Sequence, residues 1–572
     1  MGSFVEPKRP NFLVIVADDL GYSDTEPFGS EIHTPALNHL ASSGVRLTNF
    51  HTASACSPTR SMLFSGTDNH IAGLGQMAEH MPANAKGQPG YEGYLNFRVA
   101  ALSEILQDSG YETMMTGKWH LGLTKETAPC SRGFDKSFVF LSGCHNHFNY
   151  EPQLEDPSHS IFTAINGGQF WMRDSSFINR ITDIPEDFYS TTSYGKEMVK
   201  QLASRDASKP FFAYLAFTAP HWPLQAPQSM IARYKGLYDD GPAALRSKRL
   251  QRLIDLGLIS PEVEAAPMCH GPEEWETMSE VQRAESARKM EVFAAMVDMI
   301  DQSIGEVLDH LEESGELDNT FILFMSDNGA EGALLEAMPI MGGSSNVGAI
   351  IDKYYDNSLD NIGNANSYVW YGPAWATASM APSRGFKTWV TEGGIRCPCI
   401  VRYPPAFGSG QEVQNHKTGD ASAQGVHTDS FATVMDILPT ILDIANVPVP
   451  SPSKPFRNRS IVPIRGSSWL PHLSGRAPSF HDEQHNITGW ELFGFRAIRQ
   501  GPWKALFMAS PRGKDKWELY NLDKDPGEMV DLADSEPEVL DRLITHWEVY
   551  HAETGMIDPE PHSKTAGDVE FV

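Results

Sequence analysis

Cysteine is scarce in this chain. Six residues in 572 (Cys56, Cys130, Cys144, Cys269, Cys397 and Cys399) are too few for a disulfide framework. Their scarcity excludes the small stapled secreted folds and points to a reducing compartment. Long apolar runs are missing too, and no stretch approaches the roughly 18 residues that a membrane-spanning helix needs. The opening residues Met1 to Glu6 lack a charged and then apolar leader, so the expected location is cytoplasmic. Glu6 also stands where an N-myristoylation signal wants Ser or Thr. Positive charge is short: 45 Lys and Arg face 73 Asp and Glu, a net charge of −28. Such a surface repels nucleic acid and anionic lipid, so neither is expected as a partner. An anionic substrate would need that field reversed locally by cations or a metal. Repeats and low-complexity tracts are absent, and the sequons at Asn458 and Asn486 mean nothing without secretion.

What is present suffices for a large core, with 41% hydrophobic and 10% aromatic residues. One organisation recurs along the chain. A short apolar run ends abruptly in a small polar cluster, and a helical stretch follows. Asn11–Ala17 ends in Asp18-Asp19, and Tyr111–Thr116 ends in Gly117-Lys118-Trp119-His120. Phe211–Phe217 runs into Pro220-His221-Trp222-Pro223, and Phe321–Met325 into Ser326-Asp327-Asn328-Gly329. The spacing of Phe293, Val297, Ile300, Ile304, Val307, Leu308 and Leu311 predicts an amphipathic helix from about 285 to 313, stopped at Gly315. Continuous apolar strands alternating with helices predict an α/β fold, a large mostly parallel sheet sandwiched by helices. Ligands bind such sheets beyond the carboxyl ends of the strands, so the four polar clusters can share one site. The texture changes at the proline-rich stretch 447–455. Short hairpin-linked strands follow, at 495–500, 503–507 and 517–522, then a helix from about Pro537 to His551. The expected division is a catalytic domain over 1–446 and a C-terminal subdomain over 447–572, a small antiparallel sheet plus terminal helix. Residues 225–284, polar and helix-prone, read equally as a pocket-shaping insertion or a surface excursion.

The densest chemistry lies in Cys56-Ser57-Pro58-Thr59-Arg60. Pro58 suits the first turn of a helix, which would set Cys56 at an end whose backbone N–H groups favour anions. Arg60 adds a planar cationic fork. A buried structural cysteine and a histidine-paired thiolate nucleophile both satisfy that spacing.

Cys56-x-Pro58-x-Arg60, followed by Leu63 and Gly66, resembles the signature of type I sulfatases, whose cysteine is oxidised after translation to formylglycine. The resemblance continues through Asp18-Asp19, Gly117-Lys118-Trp119-His120, His221, Asp327-Asn328-Gly329, Lys387 and Gly393-Gly394-Ile395-Arg396. It reaches the C-terminal Trp517–Leu522 and Asp525–Glu528, and nearly the whole chain is similar to cytosolic bacterial-type arylsulfatases of the alkaline phosphatase superfamily. One departure is Ser65, where the signature usually has Thr. The resemblance implies an alkaline-phosphatase-like fold and hydrolysis of aryl and alkyl sulfate esters through a sulfated formylglycine. It further implies one Ca²⁺ held by Asp18, Asp19, residue 56, Asp327 and Asn328, all hard ligands. Asp327 would take the attacking hydroxyl's proton, with Arg60 and Lys118 stabilising the hydroxylate. His120 would assist the eliminating hydroxyl, His221 would protonate the leaving oxygen, and Lys387 would balance the sulfuryl oxygens. The implied partners are a small sulfate ester and a formylglycine-generating maturation enzyme.

Taken singly, these residues have plainer readings. Asp18-Asp19 at a strand end is more often a helix cap, a lone histidine is usually surface or core, and lysines are usually solvated. Cys144-His145-Asn146-His147 has no accompanying ligand cluster for a metal, and Cys397-Pro398-Cys399 has packing rather than redox spacing. Three alternatives to the sulfatase reading stay open: a phosphate or phosphonate ester hydrolase using the same groups, a zinc phosphatase, and a silent binding protein in which Cys56 remains a thiol.

Overall fold

A computed structural model describes residues 8–156, 168–269, 274–332, 347–407, 425–510 and 512–558. Its centre is the first apolar run. Strand β1 (Asn11–Ala17) lies between β8 (Phe211–Ala216) and β9 (Thr320–Ser326), parallel to both. Strand β4 (Glu112–Lys118) extends the parallel array beside β8, and β5 (Lys136–Phe140) extends it once more. All four runs read as strands from the sequence are strands, and they are consecutive in space: β9, β1, β8, β4. Their carboxyl ends therefore form one continuous rim.

The flanks are less regular than a mostly parallel sheet implies. Strands β6 (Trp171–Arg173) and β7 (Ser176–Phe177) continue antiparallel from β5. On the other side β10 (Cys399–Arg402) runs antiparallel to both β9 and β2 (Val45–Leu47), and β11 (Val426–Thr428) closes that edge parallel to β2. The ten-stranded sheet is mixed, with a parallel centre. These edge strands span only two to four residues, too short to show as an apolar run in the sequence. A two-stranded sheet joins β3 (Phe50–His51) to β12 (Ala432–Thr433).

Alternation along β1 assigns the two faces. Leu13, Ile15 and Ala17 enter one core with Met198, Val297, Ile300 and Ile304, from the helices Ser190–Ala203 and Glu280–Glu313. Phe12, Val14 and Val16 enter the other with Met62, Leu63, Phe64, Leu438 and Ile441, from the helices Cys56–Ser65 and Ile437–Ile444. The long helix starts five residues before its expected position, because Ser279 caps it and exchanges hydrogen bonds with Gln282. Within 225–284, the helix Gly241–Asp255 carries buried Arg249. That side chain ion-pairs with Asp24 and with Glu31, so this stretch braces the loop following Asp18-Asp19. Among the described residues no helix is long and apolar enough to cross a membrane.

The second sheet holds β13 (Ile487–Leu492), β14 (Phe495–Gln500), β15 (Trp503–Phe507) and β16 (Trp517–Asn521), all antiparallel. One face packs Ile498, Ala505 and Leu519 on Leu543 and Trp547 of the helix Pro537–Thr554. The other face sends Trp490, Phe495, Ala497, Leu506 and Tyr520 into the main core. Charge reinforces this junction. Buried Lys504 pairs with Glu392 at 2.9 Å and Glu528 at 2.7 Å, and Glu392 also meets His51 at 2.8 Å.

A second polar tie crosses at His70. Its Nδ1 stands 2.9 Å from Asp68 and its Nε2 3.0 Å from Glu491 on β13, while Tyr550 donates to Asp68 at 2.6 Å. Burial alone would lower the His70 pKa, but the two carboxylates outweigh it and push the ring up to about 9. A raised pKa in the folded state contributes stability fully below the unfolded value of about 6.5, and the contribution fades as pH rises through about 9. At about 1.4 kcal/mol per pH unit, His70 should contribute on the order of 3 kcal/mol in mild acid. His70→Gln should therefore lower the urea midpoint strongly near pH 6 and much less near pH 10. An equal loss at both would remove the imidazolium from this role.

Candidate active site

The four strand-end clusters meet at one buried place. Asp18 leaves β1 with its amide donating to Ala219 O at 3.1 Å, beside the end of β8. Asp19 turns into the left-handed region at φ 65°, and its amide donates to Asp327 Oδ1 at 3.2 Å. Leu20 N is held by Ser326 Oγ at 3.0 Å. At the end of β4, Gly117 adopts φ 103°, and a Cβ there would stand 1.8 Å from Ala216 O. Only glycine lets β4 approach β8 closely enough to deliver Lys118. Lys118 Nζ donates to both Asp18 oxygens, at 2.9 and 2.8 Å.

Cys56 is the first residue of the helix Cys56–Ser65, as expected, and its side chain is buried. One turn on, Arg60 donates from Nε and Nη2 to Asp327 Oδ2 at 2.9 and 2.7 Å. Its Nη1 reaches Lys118 O at 3.2 Å and Tyr214 Oη at 3.4 Å. Ser65, the departure from the family signature, folds its hydroxyl back onto Ser61 O at 2.6 Å and stays clear of these contacts. The ligand atoms of Asp18, Asp19, Cys56 and Asp327 all lie within 4.8 Å of one another, and Cys56 Sγ is 3.7 Å from Asp19 Oδ1. Asn328 Nδ2 donates to Asp19 Oδ1 at 2.7 Å, while its own Oδ1 is buried without a hydrogen-bond partner. Burial pushes Asp18 up to about 8, with Lys118 opposing and Asp327 and Asp19 adding to the rise. Crowded carboxylates plus an orphaned amide oxygen form a donor set suited to a hard divalent cation. A second metal, as a zinc phosphatase needs, finds no separate ligand group among the described residues.

Lys387 and His221 close the other side. Lys387 Nζ donates to Asp19 Oδ2 at 2.9 Å and pairs with Glu331 at 3.0 Å. His221 Nδ1 bonds Trp222 O at 2.7 Å, which leaves Nε2 facing Lys387 Nζ at 3.4 Å. Burial, then the charges of Lys387 and Lys118, push the His221 ring well below its ordinary value. His120, at φ 55°, sets Nε2 against Glu79 at 3.0 Å. Burial likewise lowers the His120 ring, with Glu79 opposing. Every catalytic and ligand candidate named from the sequence is buried at this rim.

The structure adds residues that the sequence left unmarked. Glu331 and Tyr214 touch Lys387 and Arg60; Glu331 sits just past the 326–329 cluster and Tyr214 inside the Phe211–Phe217 run, so proximity was their only signal. Glu79 carried none. The histidines of the Cys144–His147 stretch hydrogen-bond within the protein, and none of them joins a candidate metal cluster among the described residues. His145 Nε2 meets Tyr194 Oη at 2.9 Å, and His147 bridges Ser190 Oγ at 2.7 Å and His221 O at 3.0 Å. Cys397 and Cys399 are buried and unpaired, as packing residues should be, and all six cysteines are free. Burial raises the Cys56 thiol well above its ordinary value despite Lys118 and Lys387, the reverse of an activated thiolate.

Comparison with known proteins agrees with this geometry. Residues 10–447 match the sulfatase family model. The chain is 51% identical to an uncharacterized sulfatase of Schizosaccharomyces pombe, covering 96% of this chain and 95% of that one. It is 36% identical to an arylsulfatase of Klebsiella aerogenes, covering 81% and 92% respectively. In fold it is similar to the crystal structure of Ps i-CgsB bound to k-i-k-neocarrahexaose, with a TM-score of 0.65 at 22% identity over 98% of this chain and 96% of that one. The architecture is the alkaline-phosphatase-like α/β fold with a separate four-stranded antiparallel sheet. The chain belongs to the sulfatase family and is a sulfuric ester hydrolase.

Proposed function

We propose that this enzyme is a calcium-dependent arylsulfatase that works through formylglycine at residue 56. The observation that carries the reading is a site built around Cys56, within 4.8 Å of three carboxylates, in which burial suppresses the thiolate. A thiol nucleophile is ill served there, whereas a neutral polar group is well served. As a hydrated aldehyde, residue 56 would supply two hydroxyls, one to attack sulfur and one whose deprotonation releases sulfate. Calcium, held by Asp18, Asp19, residue 56, Asp327 and Asn328, would supply charge opposite the sulfuryl oxygens.

The chain's own groups divide the proton work. Asp327 takes the proton of the attacking hydroxyl, and Arg60 and Lys118, held by Asp327 and Asp18 of the same cluster, stabilise the hydroxylate. His120 takes the proton of the eliminating hydroxyl. His221 Nε2, which accepts from the Lys387 ammonium at 3.4 Å, passes a proton from that ammonium to the leaving oxygen, and Lys387 balances the sulfuryl oxygens. Aryl and alkyl sulfates are the proposed substrates, and a formylglycine-generating enzyme the maturation partner. We assign residues 1–446 to the catalytic domain and 447–572 to the C-terminal subdomain. The six free thiols support a cytoplasmic location.

The mass of the peptide carrying residue 56 should show sulfur exchanged for an aldehyde oxygen. Cys56→Ala should fold with an unchanged urea midpoint yet lose turnover of nitrophenyl sulfate, and Cys56→Ser should stall because its sulfate ester lacks the second hydroxyl. An alanine protein turning over like wild type would sink the mechanism.

Exhaustive chelation should reduce activity, and Ca²⁺ should restore it. Asp327→Ala should be worse than Asn328→Ala, since it removes a charge and the proton acceptor together. Restoration by zinc alone would contradict the oxygen-ligand set.

General acid catalysis contributes roughly 10²–10⁴-fold, and most where the departing oxygen is basic. His221→Ala should slow alkyl and unactivated phenyl sulfates far more than nitrophenyl sulfate. A uniform loss across a leaving-group series would move the acid role to Lys387.

A further inference from the structure

His120 has a partner outside the family motifs that carry the resemblance. The short turn Ala78–His80 presents Glu79, whose Oε1 lies 3.0 Å and Oε2 3.4 Å from His120 Nε2. An ionised carboxylate only accepts, so His120 Nε2 must carry the proton. The other ring nitrogen, Nδ1, is buried and has no hydrogen-bond partner. The two nitrogens point to opposite sides of the ring, so Glu79 occupies one side and the bare nitrogen the other. Gly143 leaves room for the pair. A Cβ there would stand 2.9 Å from His120 Cε1 and 3.4 Å from Glu79 Oε1.

We propose that Glu79 is the positioning residue for His120: it fixes the Nε2–H tautomer, leaves Nδ1 as a bare base, and balances the charge when Nδ1 takes a proton. The inference rests on the reading of His120 as the group that assists the eliminating hydroxyl. A histidine backed by a carboxylate is held in tautomer and orientation, and its imidazolium is stabilised. His120 itself sits in the left-handed region at φ 55°, a backbone cost that surrounding contacts must hold in place. The His120–Glu79 pair is one such contact. No metal ligand takes part in it.

Two measurements test the proposal. The first needs no turnover. Nitrogen-15 spectra of histidine-labelled protein, with Cys56 still a thiol and His120 assigned by His120→Gln, should show a bare Nδ1 and a protonated Nε2. Glu79→Ala should collapse that signature toward a mixture of tautomers. A wild-type Nδ1–H, or an unchanged signature in Glu79→Ala, would overturn the proposal. The second uses formylglycine-bearing enzyme and the isosteric Glu79→Gln, which keeps the packing. Slowing only the sulfate-releasing half lowers kcat and KM together, by about 10–100-fold, while kcat/KM for nitrophenyl sulfate holds within about twofold. Loss confined to kcat/KM would mark Glu79 as a binding or merely structural residue and overturn its role. His120→Ala serves as the control on the underlying reading. If it fails to lower kcat and KM together, the assignment of His120 falls, whatever the tautomer spectra show.

Discussion

Buried opposite charge at the ends of four adjacent strands is the constraint on which this structure turns. Asp18, Asp19, Asp327 and Glu331 face Arg60, Lys118 and Lys387, all nearly inaccessible to water. Removing one member of such a set leaves its partner charged and dry, which commonly costs 3–5 kcal/mol (an order-of-magnitude figure). The set is therefore held together as a unit. With all four carboxylates ionised, as a bound cation would keep them, four negative charges against three side-chain cations leave an excess of one, in a chain already at −28. A divalent cation would turn the cluster positive by one, the local field reversal that an anionic substrate requires.

Geometry at the rim depends on backbone that is hard to hold. Asp19, His120 and Thr388, each at or beside a proposed site residue, adopt φ values of 65°, 55° and 70°. Non-glycine residues reach that region at a cost, so tertiary contacts must enforce it. Here Asp327 grips the amide of Asp19, Leu141 O accepts from the amide of His120, and Ser54 O accepts from the amide of Thr388. The C-terminal sheet contributes to the same end. Lys504 anchors Glu392 five residues beyond Lys387, and Arg512 donates to Thr388 Oγ1 at 3.0 Å. Leu492 packs with Ala55 and Met77, which stand one residue before Cys56 and two before Glu79 respectively. The second sheet thus belongs to the active site's support as much as to its own small core.

Much of this was legible in the chain itself. Continuous apolar runs specified the buried parallel strands, because a strand covered on both faces has no reason to alternate. The polar residues that ended each run, Asp18, Lys118, His221 and Asp327, stood at carboxyl ends where a parallel sheet opens its site. Helical spacing marked Phe293 to Leu311, and the turn at Gly501-Pro502 marked the hairpin of β14 and β15. Such signals are local, carried by side-chain periodicity and turn chemistry within a few residues of each other.

What tertiary structure alone decided is which distant groups touch. Glu79 and His120 are 41 residues apart in sequence and 3.0 Å apart in space, and nothing around Glu79 sets it apart from other acidic residues. Glu331 finds Lys387, Tyr214 finds Arg60, and His147 shores up His221 by the same logic. The antiparallel edge strands are equally silent, because short strands bury too little to leave a periodic trace. The sequence by itself determined the strands, the order of the motifs and the residue types at the rim, since each follows from local periodicity and chemistry. Partner choice, ring tautomer and ion-pair pattern were decided only on folding, because they depend on long-range packing that no local pattern encodes.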